Sequence, residues 1–213
     1  GQGRRARVAF PARGRLVFAM DATMSRQATW DLALKLQGDM FQAVKKAGAL
    51  AVQLVYFRGF GETRASRWVR DPESLARLMA TVACQGGFTQ IRKVLLHVLR
   101  EAKKAKINAV VYVGDCMEEE IDQLSHLAGQ IGLLGVPVFL FQEGHDQKAE
   151  RTFKEIARLT RGAYSHFDAG SARQLSQLLS AVAVYASGGR KALQKHRAET
   201  QSEAAQRLLE QLG

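Results

Sequence analysis

Apolar residues fall into two kinds of run along this chain. Residues 16–20, Leu-Val-Phe-Ala-Met, and 109–113, Ala-Val-Val-Tyr-Val, are apolar without alternation, the pattern of strands covered on both faces. The other kind recurs every three or four residues: Leu32, Leu36, Met40 and Val44 within 30–47, and Ile91, Val94, Leu95, Val98, Leu99 and Ala102 within 89–106. That spacing predicts amphipathic helices. Strands at 51–57, 136–141 and 163–167, with helices at about 71–84, 119–134, 148–160 and 172–185, continue the alternation. A polar stretch from Thr63 to Val69 follows the Gly59-Phe60-Gly61 turn and predicts an antiparallel edge strand. Together these predict an α/β fold, Rossmann-like and doubly wound: a mostly parallel six-stranded sheet with one antiparallel edge strand and helices on both faces.

The two unbroken strands share an ending. The first runs into Asp21-Ala22-Thr23-Met24-Ser25 and the second into Gly114-Asp115. Parallel strands open at their carboxyl ends onto the crevice where such folds bind ligands, so both carboxylates are expected there. Asp21, Thr23 and Ser25 are hard oxygen donors of the type Mg²⁺ accepts.

Charge adds a second theme. The formal net charge is +11, yet it is concentrated. Residues 1–15 carry Arg4, Arg5, Arg7, Arg13 and Arg15 with no acid, and 89–106 carries Arg92, Lys93, Arg100, Lys103, Lys104 and Lys106 against Glu101 alone. The remaining body is near neutral. Three parts follow: a basic arm at 1–14, the α/β domain at 15–186, and a polar helical tail at 187–213 set off by Ser187-Gly188-Gly189. The tail has only a weak apolar side, at Ala205, Leu208, Leu209 and Leu212. It is read as docking on the body, pairing with a second copy or contacting a partner. No apolar segment reaches the roughly 20 residues of a membrane span. Two cysteines, Cys84 and Cys116, make neither a disulfide framework nor a Cys-x-x-Cys site, which fits a reducing, cytoplasmic setting.

Asp-x-Thr-x-Ser after the first strand, Thr89 behind Gly86-Gly87-Phe88, and Gly-Asp after the next core strand resemble, in this order, the metal-ion-dependent adhesion site of von Willebrand factor A domains. The resemblance covers roughly residues 15–186 and implies the sheet order 3-2-1-4-5-6. It implies Mg²⁺, or Mn²⁺ or Ca²⁺, as cofactor. Thr23, Ser25 and Thr89 would supply hydroxyls, Asp21 and Asp115 would act largely through water, and an Asp or Glu of a protein partner would complete the sphere. Arg26 lies inside the motif and has to be paired or turned away for a cation to bind. Glu118, Glu119, Glu120 and Asp122 lie just past Asp115 and could offset Arg26, although they read first as acidic residues at a helix N-terminus.

Enzymatic motifs are lacking: there is no Gly-x-x-x-x-Gly-Lys-Ser/Thr, His-Glu-x-x-His or Gly-x-Ser-x-Gly. A non-catalytic protein-binding module is therefore expected. Two alternatives stand beside it. One is phosphate-backbone nucleic-acid binding through the arm and the 89–106 helix. The other is the same scaffold without metal, its Asp, Thr and Ser serving as strand-end caps.

Overall fold

A computed structural model describes residues 13–213, so the stretch 1–12, which holds most of the basic arm, lies outside the described residues. The elements are β1 (Arg13–Asp21), α1 (Gln27–Val44), β2 (Ala49–Arg58), β3 (Glu62–Val69), α2 (Pro72–Ala80), α3 (Ile91–Lys104), β4 (Ala109–Gly114), α4 (Ile121–Leu133), β5 (Val138–Glu143), α5 (Gln147–Thr160), β6 (Ala163–Phe167), α6 (Ala172–Thr200) and α7 (Glu203–Gln211), with a 3-10 turn Met24–Arg26 before α1. The sheet order is β3-β2-β1-β4-β5-β6. Every pairing is parallel except β2 with β3.

The unbroken apolar runs are central strands because each of their faces has a helical layer to pack against. Leu16, Phe18 and Met20 belong to one core cluster with Trp30, Leu75, Leu178 and Val182. Val17 and Ala19 belong to the other, with Val94, Val98, Leu124 and Phe153. One layer is thus α1, α2, α6 and α7, and the other is α3, α4 and α5. β3 is half-buried or exposed at every residue but Val69, as suits an edge strand. Its register on β2 slips at Gln53–Val55, where Ser66 Oγ accepts a hydrogen bond from the Leu54 amide at 3.0 Å.

α6 continues beyond residue 186. It turns at Gly189, whose φ of 70° favours glycine, and runs on to Thr200. Residues 190–212 lie against the body: Leu193, Ala205 and Leu208 are fully buried in the α1–α6 side of the core. Of the three uses expected for the tail, docking back is the one this packing displays. Gln211 clips it to the sheet, its amide oxygen accepting from the Tyr164 N–H and its amide nitrogen donating to the Tyr164 carbonyl, both at 2.8 Å. Leu208→Ala is expected to lower the unfolding free energy by about 2–5 kcal/mol, the usual cost of emptying a core leucine site. Urea denaturation measures it, and a loss below about 0.5 kcal/mol would show the tail to be a loose appendage.

Strand register sets the functional edge. Met20 pairs with Val113, and Val113 with Phe141. The residues just beyond, Asp21, Asp115 and Glu143, therefore leave three adjacent strands at one edge. The chain then departs from β1 into α1 on one face and from β4 into α4 on the other, which opens a crevice between them. Among the described residues, no helix is long and apolar enough to cross a membrane.

Candidate metal centre

Asp21 ends β1 almost wholly buried, at 1% exposure. Its Oδ1 accepts the Thr23 amide at 2.7 Å, while its Oδ2 is buried without a hydrogen-bond partner. Burial pushes its carboxyl up to about 6. Hydrogen bonds from Thr23 and the charge of Arg26 oppose that rise, and the nearby Asp115 charge adds to it. Asp115, on the loop after β4, has the complementary arrangement: Oδ2 lies 3.4 Å from Arg26 Nη1, and Oδ1 is buried without a partner. Each carboxylate thus has one oxygen held by the protein and one left over. Buried acceptors without partners are uncommon in folded proteins because desolvating them costs free energy.

Arg26 is the cation inside this edge. It is 5% exposed, and its Nη2 donates to Thr29 Oγ1 at 2.7 Å and to the carboxylate of Glu143. Thr29 also donates to Glu143. Burial works against the charge of Arg26, but the Glu143 hydrogen bond and the charges of Asp115, Glu143 and Asp21 outweigh it and hold the guanidinium above its ordinary value. The required pairing is therefore met by Glu143 and Asp115, not by the acids at 118–122.

Those acids have other work. Glu118 and Thr89 bond reciprocally, the Thr89 amide to Glu118 Oε2 at 3.0 Å and the Glu118 amide to Thr89 Oγ1 at 3.1 Å. Glu119 accepts the Ile91 and Arg92 amides at 2.7 and 2.9 Å and so caps α3, whose own N-cap residue, Gln90, makes no side-chain cap. Glu118 and Glu119 thus serve the N-terminal side of α3, whereas Glu120 is the N-cap residue of α4. Among them Asp122 alone lies in the first turn of α4.

The remaining sequence-predicted residues are placed unevenly. Thr23 is buried beside Asp21, Thr89 is buried with its hydroxyl already accepting the Glu118 amide, and Ser25 is exposed on the 3-10 turn. The loop bearing Thr89 is tied down on both sides, by the Gln85 amide to the Ala22 carbonyl at 3.0 Å and the Phe88 amide to the Gly59 carbonyl at 3.2 Å. Gly87 allows this approach, since a Cβ there would lie 1.9 Å from the Gly59 oxygen. Two functional candidates were not foreseen as such, Glu143 and Cys116. A carboxylate oxygen of Asp21, one of Asp115 and Cys116 Sγ all lie within 4.8 Å of one another. Burial, followed by the Asp115 and Asp21 charges, pushes the Cys116 thiol up to about 12.

Three large apolar side chains on the loops at this edge are exposed. Met24 is 65%, Phe60 82% and Phe88 58% exposed, and the two phenyl rings meet edge to face with centroids 5.3 Å apart. The basic surfaces are less free than the sequence implies. Arg15 turns inward, donating to the Lys106 carbonyl at 3.1 Å and stacking its guanidinium 4.1 Å above the Trp68 ring. Lys104 pairs with Glu101 at 2.7 Å, and Lys93 donates to the Gly61 carbonyl at 2.8 Å. Arg92, Arg100, Lys103 and Lys106 remain exposed.

No family model matches the sequence. No curated protein matches it either. Among solved structures, the chain is similar to a von Willebrand factor type A protein from Catenulispora acidiphila, at 12% identity and a TM-score of 0.67 over 83% of this chain and 43% of that one. It is similar to the SpRpn10 VWA domain, at 13% identity and 0.60 over 82% and 96% of the two chains. An aerotolerance-related membrane protein from Bacteroides fragilis aligns at 16% identity and 0.59 over 78% and 96%. The chain thus spans less than half the length of the Catenulispora protein and nearly all of the other two. Identities this low establish the fold alone, and that fold is the von Willebrand factor A fold.

Proposed function

We propose that this chain is a non-catalytic, divalent-cation-dependent protein-binding module, with the cation held at the carboxyl edge of β1 and β4. The observation that carries the reading is the pair of buried, unpartnered oxygens, Asp21 Oδ2 and Asp115 Oδ1, on neighbouring strand ends. Two like-charged acceptors kept from water call for a cation. Asp21 and Asp115 would hold it, with the hydroxyls of Thr23, Ser25 and Thr89 as further donors. Mg²⁺ suits these hard donors, and Mn²⁺ or Ca²⁺ would be accepted by the same oxygens. When bound, the ion supplies a Lewis-acid position for an anionic group, which a protein partner presents as Asp or Glu. The exposed Met24, Phe60 and Phe88 give that partner apolar surface to cover, since such residues grouped at one edge mark interaction sites.

Glu143 makes Arg26 compatible with this role. The Arg26–Glu143 pair is close to neutral, so the cation faces chiefly the charge of Asp21 and Asp115. Calorimetric titration with Mg²⁺ and Mn²⁺ tests the reading directly. Heat of binding is expected for the wild type and none for Asp21→Ala; silence in both proteins removes the metal site.

A further inference from the structure

We infer that Cys116 is a ligand of the same centre and that the ion it selects is a thiophilic divalent cation of the Zn²⁺ and Co²⁺ class. Its Sγ lies within 4.8 Å of a carboxylate oxygen of both Asp21 and Asp115, close enough for one ion to serve all three. The cysteine does not carry this alone. Asp21 is 1% exposed and its Oδ2 has no partner, so a buried acceptor already awaits a cation in the same cluster. The other oxygen of each acid is occupied, by the Thr23 amide and by Arg26 respectively, which fixes the carboxylates while leaving one atom of each to bind. Cys116 is unoxidised and half-exposed, hence reachable by an incoming ion.

The donor types decide between ions. Mg²⁺ takes oxygen almost exclusively and keeps its waters, whereas a thiolate with carboxylates suits Zn²⁺. On coordination the S–H bond breaks, the electron pair goes to the metal, and the proton leaves to solvent; no oxidant is needed. Three protein ligands also leave one position of a tetrahedral ion open, and the anionic group of a partner can fill it. The inference rests on the reading of Asp21 and Asp115 as cation ligands and goes beyond it in naming the third ligand and the ion.

The test uses the reduced full chain as wild type, Cys84→Ser, Cys116→Ser and Asp21→Asn. Co²⁺ added to the wild type and to Cys84→Ser is expected to give a near-ultraviolet thiolate-to-cobalt charge-transfer band, absent from Cys116→Ser and Asp21→Asn. Competition with a chromophoric chelator is expected to show Zn²⁺ affinity lowered in Cys116→Ser by at least the roughly 10–100-fold that losing an outer-shell partner costs. Mn²⁺ binding, read by electron paramagnetic resonance, is expected to be retained in that variant, because oxygen donors suffice for it. A band that persists in Cys116→Ser, or is missing from a wild type that binds Mn²⁺, overturns the cysteine ligand and leaves the oxygen site standing. Failure of the wild type to bind either Mn²⁺ or Co²⁺ overturns both.

Discussion

Replacing Arg26 by Met is expected to destabilise the protein by about 3–5 kcal/mol, the cost of removing one partner from a buried ion pair. Glu143 is 8% exposed at the end of β5, and its carboxylate faces both Arg26 and Thr29. Without the guanidinium only the Thr29 hydroxyl remains to it, and Asp115 Oδ2 loses the cation 3.4 Å away. The size of the effect comes from the stranded charge and not from the pair's own net attraction, which desolvation largely cancels. A double variant, Arg26→Met with Glu143→Leu, is therefore expected to recover most of the loss. Urea unfolding of the two single variants and the double gives the coupling. If the double variant is as unstable as the sum of the singles, stranded charge is the wrong explanation.

Asp21→Asn is expected to have the opposite sign. The metal-free protein should gain up to roughly 3 kcal/mol at pH 7, from a carboxyl whose pKa rises from 3.8 to about 6 on folding. The folded state binds the proton more tightly than the unfolded chain, so ionisation penalises the fold. That penalty is absent below about pH 4, grows as pH rises, and is complete above about pH 6. Asparagine keeps an oxygen for the Thr23 amide and never ionises. In the presence of chelator, the variant's advantage over the wild type should be near zero at pH 4 and full at pH 7. Saturating divalent cation should erase it, since only the wild type gains binding energy, about 2.7 kcal/mol at a hundredfold excess over Kd. Equal stability of the two proteins in chelator at pH 7 would mean that Asp21 is not held at a cost. A residue that weakens the empty fold is what a binding site is expected to contain.

The architecture was legible because burial on both faces leaves a plain mark. The continuous runs at 16–20 and 109–113 are of strand length and alternate with helical segments, which reads as central strands covered by two helical layers, and β6 matches its expected bounds of 163–167. The two carboxylates were legible for the same reason, since each terminates such a run. Glu143 carries the same mark one step weaker: β5 ends Phe141-Gln142-Glu143, with a polar residue between the apolar run and the acid. The partners of Arg26 were not legible, because Glu143 lies 117 residues away and only the β1-β4-β5 register brings the two together. Glu119 shows a related limit. Local spacing assigns it to the helix that follows, whereas the crevice lets it cap α3 instead. The tail has too few apolar residues to form a core of its own, and its spacing left docking on the body as one of three uses. Its leucines and alanines are few, but Leu193, Ala205 and Leu208 all point the same way and are all buried.

The clip made by Gln211 leaves the sheet with two unlike borders. At β6 the outward N–H and carbonyl of Tyr164 are already taken by an amide that mimics another strand. At β3, among the described residues, the register slip at Gln53–Val55 and the cations Arg64 and Arg67 are what discourage an approaching strand. A strand approaching β6 has to displace the Gln211 amide first, and one approaching β3 does not. Edge-to-edge addition of a second copy is therefore easier at β3, and a pair joined there leaves the Gln211 clips at its two outer borders.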